Sequence, residues 1–263
     1  MCVVYACWKE TPSDSEMEDG AAANTDGAGI CWSDMSSKAG GVRWIKGLSS
    51  DTKEIREVLK KEKIGYPFAI HFRTASIGGK CKELTHPFPV DDLMEDSNLE
   101  PGGLELKGSA RRVLMHNGHI QSFKDWLLPI LLATPGDCPS GPWSDSRALA
   151  VAAGYKGEAI LEFIISGSRV MVMDSMPSVG ASQKDPRSYI RLHGSGWISH
   201  EGWAQSQTTP SRSKHTSWEP AEPLHILPKR ETKENAWTVE ELQDLVTALR
   251  AEQNDAKILI GGA

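Results

Sequence analysis

The sequence predicts a layered domain built from strands and helices, α/β or α+β, and three observations carry that reading. Short apolar runs of strand type alternate with segments whose apolar residues fall at helical spacing. Hydrophobic residues make up 39 % of the chain and charged residues 24 %, the balance of a folded globular protein rather than a disordered one. At 263 residues the chain can bury the core of one large domain and still carry an appendage.

The elements follow in order. Residues 2–8 form an apolar run and predict a strand. The acidic, small-residue stretch that follows, with Asp14, Glu16, Glu18 and Asp19, reads as a mobile loop. Residues 29–32 and 42–45 suit two strands of a sheet. Residues 51–63 place Ile55, Val58 and Leu59 at helical spacing behind a capping Asp51. Residues 66–73 read as a strand that delivers Arg73 at its end. The stretch 89–108 is acidic and contains Gly and Pro, which reads as a solvated loop rather than a lid. A helix over 120–133 is expected to be interrupted at Pro129. Ser144 caps a further helix over 145–153. Residues 158–165 and 169–174 read as a hairpin across Ser166, Gly167 and Ser168, and 189–193 with 196–200 as another strand pair.

The character of the chain changes near residue 205. The segment 206–237 is rich in Ser, Thr and Pro and reads as an extended linker. Within 238–263, Thr238 caps an amphipathic helix, Glu241 completes a capping box, and Val239, Leu242, Leu245, Val246 and Leu249 form its apolar stripe. That helix either folds back on the domain or docks to a partner. The domain proper is therefore expected over 1–205.

Several function classes are disfavoured. A net charge of −6 gives no general attraction to nucleic acid or to an anionic membrane, so no direct nucleic-acid binding is expected. No apolar run approaches the roughly 20 residues that span a bilayer. The amino-terminal region lacks the basic and apolar blocks of a signal peptide. Cys2, Cys7, Cys31, Cys81 and Cys138 are scattered without a CxxC pair, which argues against a zinc site or a disulfide framework. No metal or other cofactor is expected.

Cys2 carries the functional argument. Removal of Met1 would leave a thiol and a free α-amine on one residue, a nucleophile together with its base. Taken alone, Cys2 is better read as a small hydrophobe opening a strand. Downstream, however, lie NTDGAGI (Asn24 to Ile30), HFRTASIG (His71 to Gly78), HPF (His86 to Phe88), MHNGHI (Met115 to Ile120) and SDSRALA (Ser144 to Ala150).

With the N-terminal Met-Cys, this ordered series resembles the class II glutamine amidotransferase domain of the N-terminal nucleophile hydrolases. The resemblance covers roughly the first 150 to 200 residues. It implies an α+β fold in which two mainly antiparallel sheets lie between helices, a four-layer αββα sandwich. It implies hydrolysis of glutamine to glutamate and ammonia through a γ-glutamyl thioester on Cys2. The side-chain amide of Asn117 and the backbone N–H of Gly118 would stabilise the oxyanion. Arg73 would bind the α-carboxylate of the substrate, Asp145 its α-ammonium, Ser76 would help hold it, and His86 would support the pocket. Asn24, Asp26 and Gly27 match a turn that shapes the site. The other histidines show no ligand spacing.

The chain departs from relatives that fuse this domain to a synthase, because nothing after residue 205 is long enough to be one. The ammonia would therefore pass to an acceptor on a separate partner. A free-standing hydrolase of γ-glutamyl or other linear amides is the alternative, and a catalytically silent binding module is a third possibility that an unprocessed Met1 would favour. A thiol nucleophile suits a reducing, cytoplasmic location.

Overall fold

The computed structural model describes residues 2–34, 41–91, 100–133, 139–165, 167–176 and 185–206. The chain divides into two units, Met1–Thr208 and Thr209–Ala263. Apart from Ser206, the expected linker and terminal helix lie outside the described residues, as does Cys138.

Alternation of side chains across a strand explains why β1 (Val3–Cys7) is buried at every position. Val3, Tyr5 and Cys7 join one apolar cluster and Val4 and Ala6 another, so both faces of the strand are covered. β1 is the hub of a seven-stranded sheet ordered β10-β11-β1-β4-β2-β3-β6. Its other members are β2 (Ala28–Ser33), β3 (Val42–Leu48), β4 (Phe68–Phe72), β6 (Lys107–Ala110), β10 (Trp197–Ser199) and β11 (Trp203–Ser206). A second sheet runs in the order β5-β7-β8-β9, from β5 (Phe88–Asp91), β7 (Arg112–Asn117), β8 (Arg169–Asp174) and β9 (Ile190–His193). Every pairing is antiparallel. The two sheets share one core: Val4, Ala6, Trp44 and Ala69 of the first pack with Val113, Met115, Met171 and Met173 of the second.

Helices pack against both sheets. Met17 and Ala21 of α1 (Asp14–Ala23) and Ile55 of α2 (Thr52–Lys61) pack on Val3, Tyr5, Ile30 and Ile70. Behind the second sheet lie α3 (Phe123–Leu132) and α4 (Asp145–Lys156); α4 packs against β5 and β7. Among the described residues no helix is long and apolar enough to cross a membrane.

Five local expectations need correction. Residues 14–23 form α1 rather than a loop: Ser13 and Glu16 make a reciprocal capping box, and Met17 is fully buried. The 89–108 stretch is not one solvated loop, since its ends belong to β5 and β6. Gly102 donates to the Pro89 carbonyl at 2.7 Å, and Gly103 accepts from Lys46 Nζ at 3.1 Å. Residues 92–99 lie outside the described residues. α3 runs through Pro129 without a break; proline removes one N–H there, while Leu127, Leu128, Ile130 and Leu131 remain buried and hold the helix.

Residues 158–164 are helical, a 3-10 turn at Glu158–Ile160 and a short α5 at Leu161–Ile164, so the expected hairpin does not form. Glu158 and Glu162, four residues apart, both reach the His193 ring, at 2.7 and 2.6 Å. Helical spacing meets that geometry, whereas β8 takes β7 and β9 as partners. Finally, β9 and β10 are not a pair: they belong to different sheets, and β10 pairs with β11, which the sequence reading did not separate.

Candidate active site

The site lies where element ends meet. The antiparallel register puts Val3 of β1 opposite Phe72 of β4, so Cys2 precedes one strand beside the residue that follows the other, Arg73. Cys2 shares its side-chain parity with Val4 and Ala6, and Arg73 with Ala69 and His71, which directs both toward the second sheet. From that sheet β7 ends at Asn117 and Gly118, and α4 begins at Asp145. A narrow recess is lined by Cys2, Arg73, Ser76, His86, Gly118 and Asp145, together with Thr74, Ile77, Ser144 and Ser146. Six of the seven residues assigned from the sequence thus line one recess. Larger surface hollows lie elsewhere, at Arg112, Glu158 and Arg191, at Asp26, Lys80 and Thr85, and at Glu100, Glu105 and Arg147. None of these three brings a thiol and two opposite buried charges together.

Cys2 is 8 % exposed, and its hydrogen bonds are local. Sγ donates to the Thr74 carbonyl at 3.5 Å and accepts from the Thr74 N–H at 3.4 Å. Burial pushes the thiol up from its ordinary value; the Thr74 N–H and the Arg73 guanidinium oppose that rise, and Asp145 adds to it. Burial thus keeps the resting sulfur a thiol.

Arg73 is 3 % exposed. Nη2 donates to the Gly79 carbonyl at 2.8 Å, while the buried Nη1 has no hydrogen-bond partner among the described residues. A planar guanidinium with one nitrogen held and the other unpaired among those residues suits a carboxylate. The turn assigned a structural role builds its support: Asp26 N–H donates to the Arg73 carbonyl at 2.9 Å, and Arg73 N–H to the Gly27 carbonyl at 2.8 Å. Gly27 adopts a φ of 114°, open to glycine. Asn24 Oδ1 accepts from Thr74 Oγ1 at 2.8 Å, fixing the residue that holds the sulfur.

Asp145 is 4 % exposed at the first turn of α4, behind the Ser144 cap. Its Oδ2 accepts from Ile120 N–H at 2.9 Å and its Oδ1 from Ser146 N–H at 2.8 Å. The carboxylate is anchored by backbone and also lines the recess, so helix-terminus and pocket roles coincide. Ser76 is exposed at the mouth.

Asn117 differs from the other six. It is fully buried and not part of the recess wall; its Nδ2 donates to Ser206 Oγ at 2.8 Å. Gly118 has no room for a side chain, since a Cβ would lie 2.2 Å from Ser168 Oγ and 2.8 Å from His116 Nε2.

Sequence reasoning missed the polar layer behind the recess. His71 and His86 meet as tilted rings with centroids 3.8 Å apart, and His71 Nε2 donates to the His116 carbonyl at 3.2 Å. His116 Nδ1 meets Ser146 Oγ at 2.9 Å. Burial pulls all three imidazoles down, His71 to about 3 and His86 well below the usual range, so they are neutral. Lys46, 2 % exposed over the Phe88 ring, is pulled down to about 7 by burial. The signal available was the recurrence of His beside each motif, but nothing in sequence says that residues 71, 86 and 116 meet.

Cys2, Cys7, Cys31 and Cys81 are free thiols. Among the described residues no group of His, Cys, Asp and Glu is arranged to hold a metal ion. The sequence matches no protein-family model and no curated protein.

Proposed function

We propose that this chain hydrolyses the side-chain amide of glutamine, using Cys2 as a nucleophile whose own α-amine, freed by removal of Met1, is the base. The observation that carries this reading is the recess: a thiol, a buried guanidinium with one nitrogen unpaired among the described residues, and a buried carboxylate face one small space. Opposite charges lining the same recess as a nucleophile fit an amino acid gripped by its carboxylate at Arg73 and its ammonium at Asp145. The sulfur attacks the amide carbon, the amine takes the thiol proton and passes it to the departing ammonia, and a γ-glutamyl thioester forms. Water then cleaves the thioester to glutamate and restores the thiol. The Gly118 N–H and the Asn117 amide are the proposed oxyanion donors.

In this reading the helices and two sheets make up an αββα sandwich of the N-terminal nucleophile hydrolase type. The ammonia goes to an acceptor on a separate partner protein, and the enzyme works in the reducing cytoplasm, where Cys2 stays a thiol. The test is glutamate release from glutamine by wild type and Cys2→Ala, alongside intact mass to locate the first residue. Release abolished by the substitution, in protein that begins at Cys2, supports the proposal. Activity retained in Cys2→Ala, or cleavage of γ-glutamyl amides with glutamine ignored, overturns it.

A further inference from the structure

We propose that Ser206 is a positioning residue for the reaction, acting through Asn117. The inference rests on the glutaminase reading above. Ser206 is the last residue of β11 and is fully buried. Its Oγ accepts two hydrogen bonds, from the Val4 N–H at 2.9 Å and from Asn117 Nδ2 at 2.8 Å. These donors come from different sheets. Val4 lies two residues after the nucleophile on β1, and Asn117 ends β7 beside the recess-lining Gly118. One oxygen therefore ties the nucleophile strand to the proposed oxyanion element.

The chemistry of a hydroxyl allows this. A serine oxygen has two acceptor sites. The Val4 N–H is a fixed backbone donor and occupies one of them. The second accepts from the Asn117 carboxamide nitrogen. The Val4 N–H pins the oxygen, and the oxygen in turn holds that amide in place at the end of β7. Ser206 thus positions the amide from more than 200 residues along the chain from Cys2.

The experiment is steady-state glutamine hydrolysis by wild type, Ser206→Ala, Ser206→Cys, Asn117→Ala and the Ser206→Ala/Asn117→Ala double variant. Ser206→Cys keeps the packing and exchanges a strong acceptor for a weak one. Loss of the positioning bond is expected to lower kcat about 10- to 100-fold in both Ser206 variants, near the range for losing an oxyanion donor, with KM changed less than about threefold. In the Asn117→Ala background the Ser206→Ala change should add nothing, because its effect runs through Asn117. Full losses that multiply in the double variant would mark Ser206 as merely structural and overturn the inference. So would an unchanged kcat in Ser206→Cys. A wild type that releases no glutamate would sink the parent reading and this one with it, whereas an active wild type with unaffected Ser206 variants sinks this one alone.

Discussion

Acidification should unfold this protein through its buried imidazoles, and His71 gives the clearest case. It is fully buried with Nε2–H donated to the His116 carbonyl, and its Nδ1 has no partner among the described residues. Burial pulls it from an ordinary value of 6.5 to about 3. A histidine depressed on folding stabilises the native state above the unfolded value and loses that contribution as pH falls below it. The window is therefore roughly pH 6.5 down to 3. At pH 5 the unfolded chain binds the proton about 30 times more often than not, which removes about 2 kcal/mol of stability relative to pH 7.5. His86, packed against the same ring, is depressed for the same reason and cannot share a second charge at 3.8 Å. The perturbation is His71→Gln, whose amide can repeat the donated bond but cannot titrate. Urea unfolding at pH 7.5 and 5.0 gives the difference of differences: the variant should lose about 2 kcal/mol less than wild type on acidification. His193, held up by Glu158 and Glu162, gains stability on acidification and is common to both proteins, so it cancels. Equal pH dependence in wild type and variant would refute the reasoning.

Further predictions concern the recess and its frame. Arg73→Ala should raise KM for glutamine about 10- to 100-fold, the value of a charge-assisted contact, and leave KM for an amide without a carboxylate nearly unchanged. Gly118→Ala places a methyl 2.2 Å from Ser168 Oγ and 2.6 Å from its Cβ. It should cost about 1–3 kcal/mol in urea unfolding and sharply lower kcat. Arg147 is buried and donates to the carbonyls of Gly102, Pro142 and Ser140 at 2.9, 2.9 and 2.7 Å. Arg147→Ala strands those acceptors, with an expected loss of about 2–4 kcal/mol in thermal or urea unfolding.

What was legible in the sequence was local. Short, nearly continuous apolar runs marked β1, β2 and β4, and Asp51 and Ser144 marked two helix starts, because buried strands and caps are written in neighbouring residues. The recess residues were legible for the same reason: each ends or begins an element whose motif is short. α1 was also legible, since Ser13 and Glu16 stand three apart before Met17, but its acidic, small composition outweighed the cap. The failures involve distance along the chain. Residues 158–165 carry β-forming Ile and Phe, yet the pairing of Glu158 and Glu162 with His193 decides their state from outside. The histidine layer joins residues 45 apart, and Ser206 meets Val4 across 202. No window of sequence contains such contacts. Asn117 shows the limit from the other side: its motif was found, but its bond to Ser206 depends on β11 of the other sheet.

The buried chemistry also bears on which base the proposed reaction uses. A cysteine paired with an imidazole would show sulfur hydrogen-bonded to a histidine and a thiol drawn down by it. Here the sulfur bonds only to the Thr74 backbone among the described contacts, and burial drives the thiol up. The nearby imidazoles are spoken for differently: His71 is turned to a carbonyl, His116 to Ser146, and His86 is packed against His71. All three are poor proton acceptors at neutral pH because burial disfavours the charged ring. An amine on Cys2 itself needs no such placement. It is tethered to the sulfur by two carbons, and its ordinary pKa lies near 8, close enough to neutrality to take a proton and return it. Acetylation of that amine, which removes its basicity and leaves the thiol intact, should therefore abolish turnover while iodoacetamide still labels Cys2; turnover that survives would point to a different base.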